Sequence, residues 1–280
     1  MVKILKKEKL AENVTRLVMD APLIAAKAEA GQFVILRPTE EGERIPLTVA
    51  DYDREKGELT VIYQTVGRTT AELDRLSEGD DILNVAGPLG KASELEGLRR
   101  VAVIGGGLGC AIAYPQAKAL TALGAEVDMI AGFRSRDFVI LEEEMRRVSS
   151  LTLMTDDGSY GKKGLVTDAL REKIESGGRY DAVIAIGPLV MMKYVSLLTK
   201  EYGIKTIVSM NPIMIDGTGM CGGCRLSVGG KMKFACVDGP DFDGHQVDFD
   251  EMMRRNATYR AEEAEQMAHF HECNLFKGVQ

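Results

Sequence analysis

The stretch Arg100-Val101-Ala102-Val103-Ile104-Gly105-Gly106-Gly107-Leu108-Gly109-Cys110-Ala111 decides the fold. A charged residue followed by an unbroken apolar run reads as a strand buried on both faces, as in parallel sheets. The glycines that follow permit a tight turn with positive φ, and Ala111 to Leu123 carries a helical pattern. A glycine turn between strand and helix lets the backbone approach a pyrophosphate, which then rests on the N–H groups of the helix N-terminus. The plain alternative is a tight turn with no ligand. Downstream, strand patterns at 126–131, 151–155, 182–186 and 206–210 alternate with helical ones at 141–145, 166–170 and 190–200. That alternation implies right-handed βαβ units around a parallel sheet. Ligands of such sheets sit at the carboxyl edge of the strands, where Gly187-Pro188 follows strand 182–186. Asp128, 19 positions beyond Gly109, is placed near the end of the second strand. It is either a ribose acceptor or a solvated strand-end carboxylate.

Upstream the period changes. Strand patterns at 32–37, 47–50, 59–64 and 81–86 are short and separated by turn residues, which suggests a small β-barrel. Gly87-Pro88-Leu89-Gly90 reads as a turn at the join, serving as a linker or as a cofactor contact. The segment after Met210 is rich in glycine and cysteine and too short for its own core. From Asp248 the pattern is charged and helical. The expected organisation is a barrel over 1–97, an α/β domain over 98–210, a cysteine module over 211–247 and a helical tail over 248–280.

Lys and Arg total 35 against 42 Asp and Glu, a formal charge of −7, which argues against nucleic acid and anionic membrane as partners. No apolar run reaches the ~18–20 residues of a membrane span. The N-terminal Met1-Val-Lys-Ile-Leu-Lys-Lys lacks a signal-peptide core, so a cytoplasmic location is expected. There, clustered cysteines are metal ligands more often than disulfides.

Such a cluster is present: Asp216-Gly-Thr-Gly-Met-Cys221-Gly-Gly-Cys224, then Cys236. Gly229-Gly230 is a two-residue hairpin turn. With Val228 opposite Lys231, Cys224 falls opposite Ala235 and Cys236 lies one residue beyond, so three thiols converge. The spacing matches a plant-type C-x4-C-x2-C run for a [2Fe–2S] cluster, with Asp216 in the first position. Zinc held by the three cysteines and one further ligand is the alternative, which would make this a zinc-ribbon interaction module. Cys110 and Cys273 lie outside the cluster and read as ordinary thiols.

With these motifs together, the chain resembles the ferredoxin–NADP reductase superfamily over its full length. Within it, the resemblance is to PyrK/NfnA-type electron-transfer subunits. These include the electron-transfer subunit of dihydroorotate dehydrogenase and the small subunit of NADH-dependent ferredoxin:NADP oxidoreductase, also called sulfide dehydrogenase subunit beta. The resemblance implies an FAD-binding β-barrel, an NAD(P)-binding domain and a [2Fe–2S] module held by Asp216, Cys221, Cys224 and Cys236. The family's flavin motif, Arg-x-Tyr-Ser/Thr, falls at Ile45-Pro46-Leu47-Thr48, with Leu47 in place of the aromatic residue and Arg44 one position early. Thr48 is then the candidate catalytic residue, hydrogen-bonding near flavin N5. Ile62-Tyr63-Gln64 resembles the isoalloxazine wall, and Gly67-Arg68-Thr69-Thr70 the flavin phosphate loop. Gly105, Gly106, Gly107, Gly109, Arg134, Asp156, Asp157, Gly187 and Pro188 match nicotinamide-nucleotide positions. Without the resemblance, Asp156-Asp157-Gly158 would read as a plain turn. Arg134 and Arg136 suit a 2′-phosphate whereas Asp128 suits a free ribose, so NAD and NADP both stay open.

The implied function is electron transfer between NAD(P)H, FAD and the cluster, to or from a larger flavin/iron–sulfur subunit, with ferredoxin reached indirectly. A stand-alone NAD(P)H:acceptor reductase is the alternative within the same class. Met252, Met253, Tyr259, Met267, Phe270, Leu275 and Phe276 stud the tail, which either packs back on its own chain or docks the larger subunit.

Overall fold

Residues 1–89 build an antiparallel sheet from β1 (Val2–Ala11), β2 (Val14–Asp20), β3 (Phe33–Arg37), β4 (Ile45–Asp53), β5 (Glu58–Gln64), β6 (Asp81–Ile82) and β7 (Asn84–Leu89). Helices α1 (Pro22–Ala25) and α2 (Arg68–Leu73) interrupt it. The computed structural model describes the backbone of residues 1–277 and the side chains of residues 1–268. The strand order β6-β1-β2-β5-β4-β3-β7 puts β6 and β7 at opposite edges. Only Leu83 separates them in sequence, so the sheet curls almost into a closed barrel. Alternate residues fill its interior, among them Leu17, Met19, Leu59, Val61 and Tyr63. The expected strand 81–86 is therefore two strands divided at Leu83. Gly87-Pro88 lies inside β7, paired with β3, and not in a turn; the chain turns at Gly90, with φ +76°.

The second sheet runs through β8 (Arg100–Gly106), α3 (Gly109–Ala122), β9 (Glu126–Phe133), α4 (Glu142–Val148), β10 (Ser150–Thr155), β11 (Lys162–Lys163), α5 (Val166–Glu175), β12 (Ala182–Ile186), α6 (Leu189–Glu201) and β13 (Thr206–Ser209). Its order is β11-β10-β9-β8-β12-β13, all parallel. Order reverses between β8 and β12, so the switch point of this doubly wound sheet lies between the Gly105–Gly109 turn and Gly187. Val101 to Ile104 and Ala182 to Ala185 are fully buried, as an unbroken apolar run requires.

The remaining segment forms the hairpin β14 (Arg225–Val228) and β15 (Lys231–Phe234), then α7 (Ala235–Asp238), β16 (Asp241–Asp243), α8 (Phe249–Asn256) and α9 (Arg260–Lys277). β16 pairs antiparallel with β13 and so extends the second sheet. Phe249 and Met252 of α8 are buried against α6 and β14, so this part of the tail packs on its own chain. α9 runs beside α2, where Arg68 Nη1 donates to Gln266 Oε1 at 3.4 Å. Tyr259 is exposed. The side chains of Phe270, Leu275 and Phe276 lie outside the described residues. Among those described, no helix is long and apolar enough to cross a membrane.

Candidate cofactor cavity and cysteine loop

A cavity of about 540 Å³ opens between the barrel and the carboxyl edge of the parallel sheet. That is within the size range of small-molecule and cofactor sites. The barrel contributes Phe33, Pro46, Leu47, Thr48, Ile62 and Gln64; the sheet contributes Gly106, Gly107, Gly109, Arg134, Gly187 and Pro188. Asn211, Pro212 and Met214, at the start of the cysteine segment, close the third side. Three layers thus share one cavity. No motif marks this third wall in the sequence, although a segment leaving the carboxyl end of β13 must start at the ligand edge.

The glycines have separable reasons. A Cβ on Gly109 would collide with Ile186 O and lie 2.7 Å from Gly187 Cα, so α3 can meet β12 this closely only without a side chain. A Cβ on Gly106 would come within 2.5 Å of Met191 Sδ, and one on Gly105 within 2.7 Å of Cys110. Gly105 belongs to this packing and not to the cavity wall. Gly107, at φ +55°, has open space where its Cβ would be, so its backbone faces the cavity bare.

The pleat of β5 divides one expected wall. Ile62 and Gln64 line the cavity, while Tyr63 between them points into the barrel core, is fully buried and donates from its hydroxyl to Asp74 Oδ1 at 3.4 Å. Burial first, then the Asp74 charge, raises the Tyr63 phenol above its ordinary range. Gly67, Thr69 and Thr70 sit at the start of α2, apart from the cavity lining. Thr69 Oγ1 accepts from Glu43 N at 3.1 Å, and Thr70 Oγ1 accepts from Val66 N and Gly67 N at 3.0 Å each, so both hydroxyls are used within the barrel. Arg44 turns away from the cavity, and its Nε donates to Ile215 O at 3.0 Å. Ile45 opens β4 outside the lining.

At the sheet edge, Asp156 and Asp157 follow β10 beside Arg134. The Ser159 N–H and hydroxyl bonded to Asp157 Oδ1 hold that carboxyl below the usual carboxylate range. The Arg136 guanidinium stacks over the Tyr160 ring at 5.6 Å. Asp128 needs correction. Strand β9 runs from Glu126 to Phe133, so Asp128 stands near its N-terminal end, away from the ligand edge. It accepts from Lys173 Nζ and Tyr180 Oη at 2.9 Å each, with Arg100 3.6 Å away. Burial alone would raise its carboxyl, but these donors outweigh it and hold the group below the ordinary range. Asp128 is a structural ion pair, neither a solvated carboxylate nor a ribose ligand.

The hairpin register of the cysteine segment is as the glycine turn demands: Val228 opposes Lys231, and Ala235 N donates to Cys224 O at 3.1 Å. Cys224 Sγ and Cys236 Sγ lie 3.2 Å apart, both buried. Cys221 is exposed on the preceding loop and accepts from Gly223 N at 3.4 Å; this bond first, and the nearby amides of Asp216 and Ile215, lower its thiol. Burial and the neighbouring Cys224 sulfur push Cys236 up. Asp216 Oδ2 accepts from Thr218 Oγ1 at 2.6 Å, Thr218 N at 3.0 Å and Met220 N at 3.2 Å. Among the described residues no three such donors already converge on one point. The chemistry of the set nonetheless fits an iron–sulfur centre: two thiols in contact, a third on a loop whose amides point at sulfur, and a hard carboxylate beside it. Gly217, Gly219 and Gly222, all at positive φ, give that loop its turns.

A family model described as the iron–sulfur cluster binding domain of dihydroorotate dehydrogenase B matches residues 211–248. A Thermotoga maritima protein, named a homolog of the dihydroorotate dehydrogenase B (NAD(+)) electron transfer subunit, is 48% identical over 93% of this chain and 92% of its own length. The Streptococcus mutans electron transfer subunit is 32% identical over 88% of this chain and 97% of its own. Among solved structures, one chain of an NADH-dependent reduced ferredoxin-NADP oxidoreductase superposes with TM-score 0.92 at 45% identity, covering 96% of this chain and 98% of that one. An Amycolatopsis cytochrome P450 reductase, at 23% identity and TM-score 0.61, shares the fold. Shared fold, matched cysteine segment and near-complete coverage agree: the chain belongs to the family of dihydroorotate dehydrogenase B electron-transfer subunits and their homologues.

Proposed function

We propose that this chain is an electron-transfer subunit passing electrons between NAD(P)H, FAD and a [2Fe–2S] cluster, to or from a larger flavin/iron–sulfur subunit, as in NADH-dependent ferredoxin:NADP oxidoreductase. The observation that carries the reading is the single cavity walled by barrel, parallel sheet and the start of the cysteine loop. FAD held there would supply the means to exchange electron pairs with nicotinamide, as hydride, and single electrons with the cluster.

The chain's own residues position these groups. Pro46, Leu47, Thr48, Ile62 and Gln64 supply the flavin wall. The bare backbone at Gly106–Gly109 and the start of α3 take the nicotinamide pyrophosphate, Gly187-Pro188 backs the nicotinamide, and Arg134 reaches the cavity from the sheet edge. Asp216, Cys221, Cys224 and Cys236 hold the cluster. Asp216 in the first position separates this chain from a subunit with four cysteines. Among the described residues Cys110, Cys221, Cys224 and Cys236 are free thiols, which suits the reducing cytoplasm.

Anaerobic purification with flavin, iron and zinc quantification tests this, followed by titration with NADH and NADPH. Bound FAD, iron with inorganic sulfide, bleaching by a nicotinamide nucleotide and a co-purifying larger subunit are expected. Zinc in place of iron, or no flavin, would overturn it.

A further inference from the structure

Where barrel, parallel sheet and cysteine segment meet, a set of polar side chains comes together, with Gln116 and Ser209 buried and Ser93 and Asp241 half-buried. Asp241 opens β16. Its Oδ2 accepts from Ser93 Oγ at 2.6 Å and from Gln116 Nε2 at 3.2 Å, and the same Nε2 donates to Ser93 Oγ at 2.8 Å. Ser209, opposite Asp241 in the β13–β16 pair, presents its hydroxyl to the same carboxyl. Each group comes from a different element: Ser93 follows β7, Gln116 lies on α3, Ser209 ends β13, and Asp241 belongs to the cysteine segment. Backbone ties flank the set, Lys91 N to Gly239 O at 2.7 Å and Met210 N to Pro240 O at 2.9 Å.

The donor inventory decides the state of the acid. Among the described residues, the groups facing it are two hydroxyls and one amide, and none of these carries a charge. Asp241 Oδ1 and Gln116 Oε1 are both buried, and neither has a donor among the described residues. An ionised carboxylate would therefore hold one buried oxygen with neither donor nor cation, near a second lone acceptor on Gln116, an arrangement that is costly. A proton on Oδ1 turns one acceptor into the missing donor. Burial also pushes this carboxyl above the usual range.

We propose that Asp241 is a positioning residue, a neutral acid that clamps the cysteine-bearing segment to the barrel and to α3 beside the cofactor cavity. Ser209 and Pro240 line that cavity, and Cys236 lies five residues upstream, so the clamp sets the spacing between cavity and buried thiols. The consequence for electron transfer rests on the function proposed above; the clamp itself does not.

The test uses the full chain with its cofactors, as wild type, Asp241→Asn and Asp241→Leu. Asparagine keeps the shape, cannot ionise and brings its own donor. A group whose folded pKa is raised contributes stability at low pH and loses it as pH rises through the folded value. The melting temperature of Asp241→Asn minus that of wild type should therefore climb as pH rises from the ordinary carboxylate range through neutrality. A difference that stays flat shows an ionised carboxylate and overturns the proposal. Infrared spectroscopy should show a protonated carboxylic band at neutral pH that disappears in Asp241→Asn; no such band in wild type also overturns it. Hydrogen exchange over residues 225–243 should quicken in Asp241→Leu, with a weakened cluster signal, and return to normal in Asp241→Asn. Unchanged exchange in Asp241→Leu overturns the clamp. Should that variant not fold, Ser93→Ala removes one donor and should quicken exchange in the same segment. A wild-type chain with neither flavin nor cluster would count against the proposed function, while the melting and infrared results would still decide Asp241.

Discussion

The cofactor cavity and the cysteine loop meet at Asn211–Met214, yet they hold their shape by different means. The cavity is made of strand ends and a helix start anchored in buried cores, with Ile104, Cys110 and Ile186 fully or almost fully covered behind it. The loop exposes Ile215, Met220 and Cys221 and bends at three glycines. Two of its thiols are fixed by the hairpin; Cys221 and Asp216 sit on the exposed part. The cavity is thus organised by packing before any ligand arrives. On the function proposed above, the loop would draw its order from the cluster, whose binding energy is also folding energy for such a segment.

The largest effect should come from removing an anchored ligand. Cys224→Ala should abolish iron–sulfur absorbance and the electron-paramagnetic-resonance signal while leaving FAD stoichiometry intact. If flavin is lost as well, the two regions are one cooperative unit and the contrast fails. Asp216→Cys is the sharper companion: the cluster should persist with an altered spectrum, because thiolate is the softer donor. An identical spectrum would remove Asp216 from the ligand set.

Gly109→Val attacks the other region. Its new side chain would meet Ile186 O and Gly187 Cα, so a loss of about 1–3 kcal/mol is expected from overpacking. NAD(P)H should no longer reduce the flavin efficiently, while dithionite should still reduce the cluster. Urea melts and stopped-flow traces check both. Equal impairment with the two reductants would show that the cavity's packing supports the loop.

These contrasts also explain what the sequence could show. The βαβ alternation and the Gly105–Gly109 turn were legible because period and turn chemistry agree there. The Cys224–Cys236 register was legible because Gly229-Gly230 leaves only one pairing. The hairpin β1–β2 carries no clear strand signal, since Lys3, Lys6, Lys7 and Lys9 interrupt the alternation of β1, only one of whose residues is fully buried. Tyr63 was placed in the cavity wall by resemblance, which gives a position but not a facing; the pleat of β5 sends it into the core. Asp128 was misplaced because an apolar run does not reveal where its strand reaches the ligand edge. The third wall depends on where the chain turns after β13, which no local pattern records.

A smaller effect is expected at Asp128. Asp128→Asn should cost about 1–2 kcal/mol by weakening its bonds to Lys173 and Tyr180, yet leave the KM for nicotinamide nucleotide unchanged. Its folded pKa is depressed, so the stability it supplies is full at neutral pH and lost as pH falls through the folded value, below about 3.9. A raised KM would return Asp128 to the ribose site.

Arg44 should give the smallest change and bears most directly on the line between the two regions. It precedes β4, a strand that lines the cavity, yet donates to Ile215 O, and its charge adds to the bonds from Thr218 that hold the Asp216 carboxyl low. The side chain is exposed, so water and salt screen that charge and only a modest effect can follow. Arg44→Gln should keep FAD content, quicken hydrogen exchange at residues 215–220 and lower the cluster's reduction potential slightly, because a nearby cation favours the electron-rich state. Spectroelectrochemistry and flavin release measure the two sides separately. A several-fold faster loss of FAD with an unmoved cluster potential would place Arg44 on the flavin pyrophosphate instead, and the region organised by packing would then reach as far as the loop.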